Sequence, residues 1–135
     1  PTVDQARRCA GQQRLPDTVY RRGHLQTLDF NVASGVKQTQ LHRLRELFDL
    51  RLVAYTRGGS GSLLLTANET SDHLGLPTEV LDTVGAGDSF TATLCMGLLK
   101  NLPLAETNIR ANRVAAFVCS QAGATPTLPD AIIES

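Results

Sequence analysis

Leu28, Phe30 and Val32 alternate with Thr27, Asp29 and Asn31, a period of two that predicts a short strand. Over residues 38 to 48 the pattern changes: Leu41, Leu44, Leu47 and Phe48 share one face, with Arg43, Arg45 and Glu46 elsewhere, which predicts an amphipathic helix. "LRLVAYT" (50 to 56) and "SLLLT" (62 to 66) read as strands, and the short "RGGSG" between them predicts an antiparallel hairpin. Residues 67 to 78, broken by Asn68, Asp72, Gly75 and Pro77, read as loop. A helix follows over 88 to 100, apolar at Phe90, Ala92, Leu94, Cys95, Met96, Leu98 and Leu99. These positions wrap most of the circumference and predict a central buried helix, closed by Lys100-Asn101-Leu102-Pro103. A second helix is expected over 105 to 121, with Ile109, Val114, Phe117 and Val118 inward and Gly123 as its stop. Residues 1 to 24 are polar and Arg-rich with weak periodicity.

Composition narrows the classes. The 135 residues fit one domain or part of one, and a chain beginning at Pro1 reads as a processed product or fragment. Thirteen basic residues balance thirteen acidic ones, so no global field draws nucleic acid or an anionic membrane. Aromatic content is 4% without Trp, which argues against a base-stacking platform. No run is long and apolar enough to predict a bilayer span. Cys9, Cys95 and Cys119 cannot all pair and fit no zinc spacing. Cys95 and Cys119 lie in apolar helical runs, which predicts buried thiols of a reducing compartment and hence a cytoplasmic protein. His24, His42 and His73 share no metal spacing.

The chemistry concentrates in "DTVGAGDSF", residues 82 to 90. Small residues at 85 to 87 let the backbone turn sharply and approach a ligand. The helix that follows offers unpaired N–H groups and a partial positive charge, the makings of an anion site. A plainer reading is open too: Gly85 and Gly87 close a tight turn, and Asp88 caps a helix. Asp88 favours chemistry. A carboxylate among helix amides stays ionised and would repel a phosphate bound in the same place. The conflict resolves if Asp88 faces a hydroxyl nucleophile while the backbone amides face a transferring phosphoryl group. Other phosphate motifs are excluded: there is no Gly-x-x-x-x-Gly-Lys-Ser/Thr, and Phe90 stands where a dinucleotide fingerprint needs glycine. Ser89 reads as a capping residue rather than a nucleophile, since no His or Lys lies nearby in sequence to activate it.

"DTVGAGDSF" closely resembles the C-terminal signature of the ribokinase/fructokinase (PfkB) family of carbohydrate kinases. "VAYTRGGSGSLLL" (53 to 65) resembles that family's nucleotide-binding hairpin, with Thr56, Gly58 and Gly61 in its Thr-x-Gly-x-x-Gly pattern. "NRVAAFVCSQAGATPTLP" (112 to 129) resembles its last helix and tail. The resemblance covers 50 to 129, the nucleotide-binding and catalytic region of a single partial domain over 1 to 135.

It implies a three-layer α/β fold with a central mostly parallel sheet, present as a C-terminal portion. It implies ATP-dependent phosphorylation of a sugar hydroxyl with Mg2+, Asp88 as base, and the Gly85-Ala86-Gly87-Asp88 backbone as anion hole. Thr56, Arg57, Gly58, Gly59 and Gly61 would lie near the nucleotide and Asn112 near the adenine, the purine between hairpin and last helix. Members often bind a monovalent cation such as K+, for which Asp82 and the Val84 and Gly123 carbonyls are the matching ligands. A carboxylate that braces the loop is the alternative for Asp82. The implied partners are a small sugar and ATP, with no nucleic acid and no membrane, in an enzyme type often dimeric through its lid.

The match stops upstream. The family's N-terminal half, with its Gly-Gly substrate motif and lid, is missing, and Thr39 and His42 stand where an Asn-x-x-Glu is expected. The link from "LDFN" to "VKQ" is short for the helix normally between those strands. Either the protein is a degenerate or truncated relative without activity, or segments are omitted; the reading expects the second, betrayed by a Cα spacing far above ~3.8 Å somewhere in 10 to 40. A sugar kinase is the first reading. A nucleoside kinase of the same family and an inactive nucleotide-binding module are the alternatives.

Overall fold

A computed structural model describes the backbone of residues 18–21 and 24–27 and the full residues 38–133. The expected strand at Leu28–Val32, Lys37, Cys9 and most of the 10 to 40 stretch lie outside the described residues.

The elements are β1 (Thr18–Arg21), β2 (His24–Thr27), α1 (Gln38–Leu47), β3 (Leu50–Thr56), β4 (Ser62–Leu65), β5 (Thr70–His73), α2 (Ala86–Leu99), α3 (Leu104–Cys119) and α4 (Asp130–Ile133). A single 3-10 turn, Gly58–Ser60, joins β3 to β4. The strands pair in the order β2-β1-β3-β4-β5. β1 runs antiparallel to both neighbours, with Thr18 opposite Thr27 on one side and Ala54 on the other. The register slips between Tyr20 and Arg21.

Two compact units share the chain. Of the described residues, the first takes those up to 57 together with 63–70. Its core gathers Leu41 and Leu44 of α1, Leu50, Val53 and Tyr55 of β3, and Leu63 and Leu65 of β4, with Phe48 packed alongside. The helical period puts Leu41 and Leu44 on one face, and that face meets the sheet. Leu47, expected on the same face, is exposed, because the helix ends there and the chain turns at Asp49 with φ 48°.

The second unit comprises 58–62 and 71–135. Here α2 packs against α3. The approach is close at Gly97, where a Cβ would stand 2.6 Å from Thr107 Cγ2. Leu102 N donates to Gly97 O at 3.0 Å and Thr107 N to Pro103 O at 2.9 Å, closing the turn between the helices where the sequence predicted an end.

Several expectations are corrected. α2 is not buried all round: Phe90, Leu94 and Gly97 are buried, whereas Met96 is 52% and Leu99 76% exposed. Its main packing partner among the described elements is α3, and a run that is apolar all round shows one buried stripe. Ile109, expected inward, is 44% exposed, and Phe117 is half-buried. α3 stops at Cys119 with Ser120 as C-cap, so Gly123 is not its terminator. Cys95 and Cys119 are unpaired thiols but only half-buried, and burial pushes the Cys95 thiol up. Residues 70–73, read as loop, form β5: "TSDH" has no apolar alternation to announce a strand.

Leu65 is fully buried in the first unit's core. Replacing it by Ala is expected to lower the unfolding free energy by about 2–5 kcal/mol, as for other emptied leucine sites. Urea titration of both proteins checks this, and a loss below about 0.5 kcal/mol would contradict the described core.

Candidate active site

The segment before α2 is tied down at several points, all within the second unit. Leu81 N and Asp82 N both donate to Cys119 O, at 2.8 and 3.2 Å. Asp82 Oδ1 accepts from Val84 N at 2.9 Å, and Oδ2 accepts from Gly123 N at 3.3 Å. One carboxylate thus spans the loop and the segment after α3. Gly85, the N-cap residue of α2, has φ 83°, and a Cβ there would overlap the Ala124 carbonyl oxygen. Only glycine meets both conditions.

Beyond this anchor the backbone opens. α2 begins at Ala86, two residues earlier than the sequence suggests. Ala86 N donates to Thr83 O at 3.4 Å and Ser89 N to Gly85 O at 2.9 Å. No hydrogen bond from Gly87 N or Asp88 N is found among the described residues, and both residues are exposed. A Cβ at Gly87 would meet nothing within 4 Å. The helix start therefore offers donors and partial positive charge to an approaching anion.

The side chains here do not cap. Asp88 is exposed and makes no hydrogen bond or ion pair among the described residues, so neither the helix-cap reading nor a carboxylate held by helix amides describes it. Ser89 Oγ donates to Ala86 O at 2.9 Å, which corrects the expectation of a cap.

The amides of Val84 and Gly123 both go to Asp82, so the loop-bracing alternative describes this carboxylate. Each of its oxygens keeps a further lone pair, and the Val84 and Gly123 carbonyls accept no hydrogen bond among the described residues. An all-oxygen donor set of this kind fits a hard monovalent cation. Among the described residues no group of three or more His, Cys, Asp and Glu stands together to hold a metal ion.

Of the residues expected at the nucleotide, Thr56 ends β3 and Arg57 follows it, in the first unit. Gly58, Gly59, Gly61 and Asn112 belong to the second. Gly58 and Gly61 take φ of 58° and 85°, and Gly61 N donates to Gly58 O at 3.0 Å. A Cβ at Gly61 would overlap the His73 carbonyl oxygen, which locks this end of the turn. Gly59 faces open space.

Asn112 is buried, its Nδ2 donating to Ser62 Oγ at 2.7 Å, next to Gly61 in sequence. The sequence reading missed its supports, Ser62, Ser71 and Asn108. Asn108 Oδ1 accepts from Ser62 Oγ at 2.6 Å, and its Nδ2 donates to Ser71 Oγ at 3.0 Å. The available signal was position: Asn108 lies on the i, i+4, i+7 stripe of Leu104, Ala111 and Val118, all buried.

The chain is similar to known proteins over most of its length. The model of the pfkB family carbohydrate kinases matches residues 29–131. An ATP-dependent 6-phosphofructokinase of Thermoanaerobacterium thermosaccharolyticum is 34% identical over 96 residues, 70% of this chain and 30% of that protein. The bifunctional protein HldE of Shewanella piezotolerans is 35% identical over 97 residues, 70% of this chain and 20% of its own length. The chain therefore spans less than a third of these curated relatives. Among solved structures, Arabidopsis thaliana ribokinase complexed with ribose and ATP superposes with a TM-score of 0.63 at 26% identity, covering 71% of this chain and 32% of that one. Ribokinase of Thermotoga maritima gives 0.62 at 23%, covering 73% and 34%. The fold is thus α/β and ribokinase-like, with a central mostly parallel sheet, over the part covered. Within this chain the pairings of β1 with β2 and β3 are antiparallel.

The two glycines separate experimentally. Gly85→Ala is expected to lower stability by more than about 1 kcal/mol, from the left-handed backbone plus the overlap with Ala124. Gly87→Ala should leave it unchanged or raise it by up to about 1 kcal/mol, the ordinary helix preference. Thermal denaturation of both variants reads this difference, and equal losses would contradict the anchored loop.

Proposed function

The chain belongs to the pfkB family of carbohydrate kinases, and we propose that it carries the catalytic end of an ATP-dependent kinase acting on a sugar hydroxyl. The observation that supports this best is the pairing of a braced loop with an open helix start. Gly87 N and Asp88 N point no hydrogen bond into the described protein, and the Asp88 carboxylate beside them is unengaged and exposed.

In this reading the γ-phosphoryl group of ATP lies against the open amides of Gly87 and Asp88. A primary hydroxyl of the sugar gives its proton to the Asp88 carboxylate as its oxygen bonds to phosphorus. The bond from phosphorus to the β,γ-bridging oxygen breaks, and ADP leaves. Positioning and charge stabilisation are what such transfer requires. Gly58, Gly59 and Gly61 would approach the nucleotide with bare backbone, and Asn112 would border the purine. Magnesium belongs here as the companion of the ATP phosphates, its usual manner of binding. A monovalent cation would be held by Asp82 with the Val84 and Gly123 carbonyls, adding positive charge beside the anion site. We assign the activity to the cytoplasm because Cys95 and Cys119 stand as unpaired thiols. No helix among the described residues is long and apolar enough to cross a membrane.

A second reading, a nucleotide-binding module without transfer activity, has Thr39 and His42 on α1 in its favour, where an Asn-x-x-Glu was expected. A nucleoside in place of the sugar is the third. One assay decides: ATP-dependent phosphorylation over ketoses, aldoses and nucleosides by the full-length protein and its Asp88→Ala variant. The proposal expects turnover on at least one sugar, reduced about a hundred- to ten-thousandfold in the variant. Its melting temperature should not change, since Asp88 is exposed and unbonded. ATP binding without turnover, indifferent to Asp88→Ala, would establish the module instead.

A further inference from the structure

We infer that Asn108 is a positioning residue for base recognition: it holds the Asn112 amide with its nitrogen inward, so that Oδ1 is the atom offered to a purine. The inference rests on the proposed nucleotide site.

Asn112 is only 8% exposed, and the partners of its nitrogen are fixed. Nδ2 lies 2.7 Å from Ser62 Oγ, 2.8 Å from the Asn108 carbonyl oxygen and 3.0 Å from Asn108 Oδ1. A backbone carbonyl only accepts, so the atom facing it must be the amide nitrogen. Ser62 Oγ spends its own proton on Asn108 Oδ1, at 2.6 Å, and toward Asn112 it too is an acceptor. The Asn108 amide is oriented by the same rule: its Nδ2 donates to the Ser71 carbonyl oxygen at 3.0 Å and to Ser71 Oγ at 3.0 Å. Turning Asn112 over would set its oxygen against the Asn108 carbonyl and strand a buried amide.

Asn112 Oδ1 accepts no hydrogen bond among the described residues. With the nitrogen committed inward, the amide presents an acceptor. A purine with an exocyclic 6-amino group can donate to it. A 6-oxo purine sets oxygen against oxygen. The network thus selects adenine nucleotides over guanine or hypoxanthine ones, and the selecting group is aimed by residues that need not touch the base.

The test measures binding of three triphosphates to the full-length protein by calorimetry: ATP, purine riboside triphosphate with hydrogen at position 6, and inosine triphosphate. The expected dissociation constants rise about fivefold from the first to the second, the effect of one hydrogen bond, and about tenfold or more to the third. Asn108→Ala keeps the backbone carbonyl facing Asn112 Nδ2 but removes Oδ1 and frees the Ser62 proton, so the ATP to inosine triphosphate ratio should narrow about threefold. If that variant does not fold, Ser62→Ala, which also removes a partner of Asn112 Nδ2, is expected to narrow the ATP to inosine triphosphate ratio at least threefold. Equal binding of ATP and inosine triphosphate by the unaltered protein overturns the assigned orientation. Full discrimination in the folded variant overturns the role of Asn108 while leaving the kinase reading intact. Binding of none of the three removes the nucleotide site, and this inference with it.

Discussion

A single carboxylate organises the catalytic end of this chain. Asp82 receives the amide of Val84 from its own loop and that of Gly123 from the segment after α3, while the backbone amides at 81 and 82 reach back to Cys119 O. Two parts of the chain about forty residues apart in sequence are thereby fixed in register. Gly85 completes the closure by allowing the backbone to pass against Ala124. The orphan amides of α2 can then remain open, because the turn that presents them is held from behind rather than by a capping side chain. A Ser or Asp cap would have satisfied those amides and removed the anion site.

A second arrangement depends on the same unit. The α2–α3 packing, tight enough at Gly97 to exclude a Cβ, holds the helix that carries Asn108 and Asn112. Buried amides of this kind are costly unless every group is engaged. Here Ser62, Asn108 and Ser71 engage one another, and Asn112 is left with one oxygen unclaimed among the described residues. Rigid backbone at 85–88 and a rigid amide at 112 are two forms of the same economy: geometry set before a ligand arrives lowers the ordering required on binding.

Much of this was legible in the sequence, and the reasons are physical. Gly85 and Gly61 sit where a side chain would collide with neighbouring backbone, so their spacing announced the two turns. β3 and β4 were plain because their cores are continuous apolar runs. β5 was not, since "TSDH" carries no alternation. α2 misled in the opposite direction: a run apolar all round predicted burial all round, and Met96 and Leu99 are exposed. Asn112 was named by the family resemblance, but its supports Ser62, Ser71 and Asn108 escaped because Asn and Ser ordinarily mark surface; only its place on the buried stripe of α3 could have betrayed Asn108. Asp88 was found by its neighbours rather than by its own contacts, of which the described protein has none.

The central claim is that the amides at the start of α2 are the ones left free for an anion. Backbone amide NMR of the full-length protein, titrated with magnesium and a non-hydrolysable ATP analogue, tests it directly. The account predicts that the Gly87 and Asp88 signals move most, while those of Val84 and Gly123, already donated to Asp82, barely shift. Stationary signals at 87 and 88, with displacement at Val84 and Gly123 instead, would contradict it.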